Sequence, residues 1–290
     1  MRTFMEYNPI VVTVYFLAVA GIAMFCMNPV ILVLSLIGAL LLFFVRNGLK
    51  SPKTHLFSLG LFIVIALINP LVSHNGVTVL FVMNHNPVTL EALIYGLAAS
   101  TMILSVLYWF RSFSQIMTSD KLLYIFGALS PKLALILSMA LRYVPLFGRQ
   151  AEKVKQTQKA LGLYKEENIV DNFKGGLRIF SIMITWALEN GIVTADSMAA
   201  RGYGIGKRSR FTLFRFQKED VFLLGISVVL SALTLFGISY IDVAYYPAVK
   251  MSEMTWTGHV GYISYAVLML LPVIIEGKEL YRWKYLRSKI

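Results

Sequence analysis

The stretch Gly202-Tyr203-Gly204-Ile205-Gly206-Lys207-Arg208-Ser209 comes nearest to a nucleotide site, because a glycine-rich turn followed by lysine can cradle phosphates. It fails on spacing. A P-loop needs a glycine five positions before its Gly-Lys pair and Ser or Thr directly after the lysine, and those positions hold Arg201 and Arg208. If ATP drives this protein, another polypeptide binds it. The histidines His55, His74, His85 and His259 are scattered over loops and span ends, and none falls in the HxxxH spacing that puts two ligands on one helix face. They read as ordinary polar residues, and no metal or cofactor site is expected. Lone Cys26 excludes both an internal disulfide and a multi-cysteine metal site. The remaining charged groups of interest are Glu91, Glu276 and Arg201. The two carboxylates fall at the ends of apolar runs, where each can reach headgroups, so a proton relay through mid-membrane carboxylates is disfavoured. Arg201 ends a helix-forming run, where a cation complements the helix dipole.

The chain that must position these residues has 290 residues, 57% hydrophobic and 14% charged, with a mean hydropathy of +0.68. Soluble chains carry about 25% charged residues, so the surplus apolar surface calls for a bilayer. From Pro9 to Val45 there are 37 consecutive residues without Lys, Arg, Asp, Glu or His. As one helix that run would reach about 55 Å, nearly twice a hydrocarbon core of about 30 Å, so it must turn back, and Asn28-Pro29 is the turn. Spans are predicted at about 9–26, 29–45, 56–73, 90–110, 220–241 and 259–276. Asn69-Pro70 is expected to end or kink the third. Val77 to Met83 is too short to cross and reads as an interfacial piece.

Six spans put both termini on one side. With the termini inside, 26 of the 27 Lys and Arg residues are cytoplasmic and only Lys250 is outside. The net charge of +12 is therefore a matter of topology and calls for no nucleic acid. Ala18-Val19-Ala20 offers a leader-cleavage site, but Glu6 and Pro9 suit a leader poorly and cleavage would leave an odd number of spans.

Residues 111–219 interrupt the spans with 17 basic side chains between Arg111 and Lys218. The interruption also holds Leu133 to Leu137 and Ile179 to Ile184, so it is packed helix and not a loose loop. Thr118, Ser119 and Asp120 can cap a short helix to about Phe126. Ser130-Pro131 opens a long helix that Gly162 stops, with Pro145 expected to kink it, and a second long helix runs from about Asp171–Gly175 to Arg201. Gly202 and Gly204 terminate that helix. Both long helices end in Ala-x-Gly: Ala160-Leu161-Gly162 and Ala200-Arg201-Gly202. Lys207-Arg208-Ser209-Arg210 then reads as a basic cluster at anionic lipid.

Ala187-Leu188-Glu189-Asn190 followed by Thr194-Ala195-Asp196-Ser197-Met198-Ala199-Ala200-Arg201-Gly202-Tyr203-Gly204 resembles the second signature of the transmembrane T component of energy-coupling factor transporters, the CbiQ-like family. Met139-Ala140-Leu141-Arg142-Tyr143-Val144-Pro145 is similar to that family's Arg-aromatic-x-Pro element. The resemblance implies a non-catalytic subunit that joins two ABC-type ATPase subunits to a small substrate-binding membrane subunit and passes ATP-driven motion to it. It also implies that arginines of two Ala-Arg-Gly-like tripeptides enter grooves on the ATPases. Ala200-Arg201-Gly202 matches the second tripeptide. The first falls on Ala160-Leu161-Gly162, where leucine stands in place of arginine. That contact must then be apolar or borrowed from Lys159 or Lys165, which is compatible with two unlike grooves on a heterodimer. Arg142 and Pro145 read as structural.

The sequence thus predicts an all-α membrane protein of about six transmembrane helices, divided into residues 1–110, a coupling-helix region at 111–219 and residues 220–290. The partners that the resemblance implies are two ATPases and a substrate subunit, in the lipid bilayer of the cell membrane, with vitamins and cobalt or nickel ions open as cargo. A self-sufficient channel or secondary transporter and a scaffold docking a soluble partner are the competing readings.

Overall fold

The computed structural model describes residues 3–48, 52–73, 75–83, 86–163, 169–206, 214–253 and 255–287. A short 3-10 turn, Phe4–Glu6, precedes α1 (Pro9–Phe25), α2 (Pro29–Asn47) and α3 (Pro52–Val72). Strands β1 (Val79–Met83) and β2 (Asn86–Thr89) lead into α4 (Leu90–Ile116) and α5 (Ser119–Leu129). Then come α6 (Pro131–Ala160), α7 (Ile169–Ala200), α8 (Lys218–Ile238), the two-residue strands β3 (Val243–Ala244) and β4 (Lys250–Met251), and α9 (Trp256–Arg287). The chain divides into two compact units, Met1–Lys121 with Phe214–Ile290, and Leu122–Leu213.

Local chemistry sets the helix starts of the first unit. The Asn8 side chain accepts from the Ile10 amide and the Asn28 side chain from the Val30 amide, each at 3.0 Å, and each is followed by proline at the first helical position. The reversal between α1 and α2 therefore falls at Asn28-Pro29. α3 passes through Pro70 and stops at Val72, the Ser73 amide donating to Asn69 O at 2.8 Å. α4 runs on past the predicted boundary at 110 to Ile116, because Arg111 projects to Thr54 Oγ1 at 2.9 Å and Ser112 is buried without breaking the helix.

α1 packs on α4 and α8, α2 on α4 and α9, α3 on α4, and α8 on α9. Phe4, Tyr15, Phe16 and Trp109 form edge-to-face contacts with ring centroids 5.4–6.5 Å apart at the centre of this core. Three polar groups on the buried faces find partners across helices: Trp109 Nε1 donates to Ser35 Oγ at 3.0 Å, Tyr15 Oη to Leu268 O at 2.9 Å and Asn28 Nδ2 to Tyr262 Oη at 2.7 Å. In lipid an unpaired polar group costs on the order of several kcal/mol, which favours such pairing. α8 and α9 approach at Gly237 and Gly261, where a Cβ on Gly237 would stand 2.6 Å from the Gly261 Cα.

Within the Val77 to Met83 run, Val79–Met83 forms one arm of an antiparallel hairpin, β1 paired with β2, with an irregularity between Val79 and Phe81. Glu91 closes this hairpin. Its carboxylate accepts from the Thr78 amide at 3.2 Å and from the Thr78 hydroxyl, and the residue is only 4% exposed. The expectation that Glu91 reaches headgroups is thus corrected, the Thr78 donors having replaced water around the charge. Glu276 is likewise turned inward, paired with Arg46 at 2.7 Å.

Seven described helices, α2, α3, α4 and α6 to α9, are long and apolar enough to cross a membrane, while α1 has 17 residues. The protein is an all-α, multi-pass membrane protein. α6 and α7 are the least apolar of the seven, α6 joining an apolar half to a charged half and α7 carrying charges on both sides of a central apolar stretch.

Candidate functional site

The second unit is built on α6 and α7, which lie antiparallel. Tyr143 Oη meets Thr194 Oγ1 at 2.7 Å, the Phe147 and Trp186 rings meet edge to face at 5.4 Å, and Arg178 Nη1 donates to Leu163 O at 3.2 Å. Tyr143 and Phe147 also stack in a tilted pair at 5.7 Å, so one turn of α6 presents both aromatic rings to α7. An antiparallel pair puts the two helix C-termini at opposite ends. Counted from the contacts around Tyr143 and Thr194 at about 1.5 Å per residue, the ends are on the order of 40 Å apart.

Both ends close by the same turn. In α6, Leu163 N donates to Gln158 O and Gly162 N to Lys159 O, each at 3.0 Å, with Gly162 at φ +70°. In α7, Tyr203 N donates to Met198 O and Gly202 N to Ala199 O, each at 3.0 Å, with Gly202 at φ +79°. These are Schellman motifs, and the left-handed backbone at the glycine is why glycine stands there. Ala160 and Ala200 are the last helical residues, and Leu161 and Arg201 occupy the cap position of each turn. Leu161 is 64% exposed. Arg201 is also exposed, and its side chain makes no hydrogen bond or ion pair with the described residues. The structure therefore gives the two tripeptides one backbone frame and two different side chains.

Arg142 and Pro145 lie within α6, and the helix continues through Pro145, whose carbonyl accepts from Arg149 Nε at 3.4 Å. Arg142 is exposed. Its neighbour Tyr143 is the side chain that reaches α7. Sequence reasoning missed that role, and the one signal for it was the spacing of four between Tyr143 and Phe147.

Of the histidines, His55 lies in the first turn of α3, half-buried, its Nδ1 2.9 Å from Tyr108 Oη and its ring stacked on Phe44 at 5.0 Å, which is a packing role. His259 is exposed, and His74 and His85 fall outside the described residues. Among the described residues no three His, Cys, Asp or Glu side chains are grouped as metal ligands. Lys165 and the cluster Lys207 to Arg210 also fall outside the described residues.

Several relatives carry the name energy-coupling factor transporter transmembrane protein EcfT. The chain is 36% identical over 104 residues to the protein of Listeria innocua, covering 35% of this chain and 39% of the relative. It is 31% identical over 106 residues to that of Lacticaseibacillus paracasei, covering 36% and 40%. To EcfT 1 of Listeria monocytogenes it is 29% identical over 102 residues, covering 34% and 38%. The chain thus spans about two fifths of the length of the curated relatives it matches. A family model described as CbiQ, cobalt transport protein, matches residues 6–213, and the chain belongs to the CbiQ family of membrane transport proteins.

Proposed function

We propose that this chain is the T component of an energy-coupling factor importer, a non-catalytic subunit that passes the motion of two cytoplasmic ATPases to a small substrate-binding membrane subunit. The observation that carries the reading is the pair of equivalent turns at the far ends of α6 and α7, each presenting one exposed cap residue. Two docking points held at opposite ends of a helix pair suit a paired partner. The names of the relatives support the same reading.

In this reading Arg201 seats in one ATPase by its charge. A guanidinium stays protonated and offers a planar fork of donors to carboxylates or carbonyls. Leu161 seats in the other by apolar contact or with a charge borrowed from Lys159 or Lys165, so the two ends call for grooves of different chemistry, which an unlike pair of ATPases would supply. Displacement of either end is carried along its helix to the contacts of Tyr143 with Thr194 and Phe147 with Trp186. α6 and α7 then serve as coupling helices on the cytoplasmic side, and both termini are cytoplasmic, consistent with the placement of 26 of 27 basic residues. The cargo class is a micronutrient, a vitamin or a metal ion, selected by the separate subunit.

The test is to tag the chain, solubilise it gently from its native membranes with and without Arg201→Glu, and identify what accompanies it. Recovery of ATPase subunits and a small hydrophobic protein with the unaltered chain, with the ATPases reduced in the variant, supports the proposal. A chain that purifies alone in both forms, with crosslinking also empty, returns the reading to a self-sufficient transporter.

A further inference from the structure

The chain leaves the first unit after Lys121 and re-enters it at Phe214. Close to both crossings a buried charged side chain grips the same short segment. Lys121, 5% exposed, donates from Nζ to Met5 O at 2.5 Å and to Ile116 O at 2.9 Å, joining the N-terminal 3-10 turn to the last turn of α4. Asp220, 0% exposed, accepts from the Asn8 amide through Oδ1 and from the Gln217 amide through Oδ2, both at 2.9 Å, joining the start of α1 to the first turn of α8. Between these two bonds lie Met5 to Asn8. The segment is itself held, with Phe4 fully buried against Tyr15 and Phe16 and the Asn8 side chain capping α1.

In each of these four bonds a charged side chain meets a backbone dipole. Burying a lysine and an aspartate is a poor way to gain stability, because desolvation offsets much of the interaction, and what directional bonds of this kind supply is a fixed position. Burial, and then the nearby Arg46, lower the Lys121 ammonium from its ordinary value, in keeping with a site that excludes water.

We propose that Met5–Asn8 is a clasp that binds the outgoing and returning roots of the inserted helices into one body, with Lys121 and Asp220 as its positioning residues. A displacement of the inserted unit then reaches α4 and α8 together. The ATP-driven part of the proposal rests on the T-component reading; the clasp itself does not.

The test places spin labels at Asp120→Cys and Phe222→Cys, both exposed, in a Cys26→Ala background, and measures the distance distribution between them in lipid nanodiscs. The full chain is measured alone, then with its co-purified ATPases under ADP and under a non-hydrolysable ATP analogue. The unaltered chain is expected to give one narrow distribution that nucleotide leaves in place. Lys121→Met and Asp220→Asn are each expected to broaden it about twofold and to make it nucleotide-dependent in the complex, with ATPase recovery retained. The clasp is overturned if both variants keep the narrow distribution, if the unaltered distance moves with nucleotide, or if neither variant folds, which would leave the two residues a purely structural role. Absence of ATPases from the unaltered preparation overturns the T-component reading, while the measurement on the chain alone still decides the clasp.

Discussion

Leu161 and Arg201 occupy the same position of two equivalent Schellman turns, one closing α6 and the other α7. Because the backbone around them is the same, a difference in what the two ends do must come from the side chains.

Arg201→Glu reverses the charge at its end and is expected to weaken ATPase recovery and stop uptake while the membrane helices stay folded. Leu161→Ala is expected to be milder, since trimming an apolar contact costs less than reversing a charge at a desolvated one. ATPase recovery from matched membranes ranks the two variants. A Leu161→Ala defect as large as that of Arg201→Glu would overturn the ranking.

Gly162→Ala and Gly202→Ala test the turns apart from the cap residues. Neither position is crowded, a Cβ at Gly162 meeting nothing within 4 Å and one at Gly202 only Ile205 Cδ1 at 3.5 Å, so the penalty is the left-handed backbone alone. Each is expected to cost about 1 kcal/mol, read as faster amide exchange at Leu163 or Tyr203, whose N–H groups the turn protects. Unchanged exchange at both amides would mean that the turns do not need glycine.

The pair Arg46 and Glu276 predicts a pattern that depends on which partner is removed. The side chains are 12% and 11% exposed and 2.7 Å apart. Glu276→Leu alone strands a buried guanidinium and is expected to destabilise by about 3 kcal/mol. Removing both partners, with Arg46→Met added, is expected to recover most of that loss, because no charge is left unpaired. Thermal unfolding of the unaltered chain, both single variants and the double variant in detergent gives the cycle. A double variant less stable than Glu276→Leu contradicts it.

Close packing of α8 on α9 makes Gly237 intolerant. A Cβ added there would lie 2.6 Å from both Gly261 Cα and Thr257 O, so Gly237→Ala is expected to cost roughly 1–3 kcal/mol as the helices part. Gly225, on the same helix, has nothing within 4 Å, and Gly225→Ala is expected to be neutral or to stabilise by up to about 1 kcal/mol. Equal melting temperatures for the two variants would remove the close approach as the cause.

Where the helices lie, and how they begin and end, is written in the amino-acid order itself, because those signals are local. Asn8 and Asn28 ahead of proline, Pro131 at the first position of α6, and Gly162 and Gly202 after their helices act within one turn of backbone, and the structure has α1, α2, α6 and α7 bounded there, the Ser130 side chain making no capping bond. The family was legible in the same way, from the runs around Arg142 and Arg201. Which polar residues face inward, and whom they meet, emerged only from the packed fold. Arg46 and Glu276 are 230 positions apart and Asn8 and Asp220 212 apart, so no periodicity or spacing links them. Glu91 at the end of an apolar run reads as a headgroup contact until Thr78 supplies the donors that let it be buried. The separation of Leu161 from Arg201 to opposite ends of one helix pair likewise follows only from the antiparallel packing that Tyr143, Phe147, Trp186 and Thr194 impose.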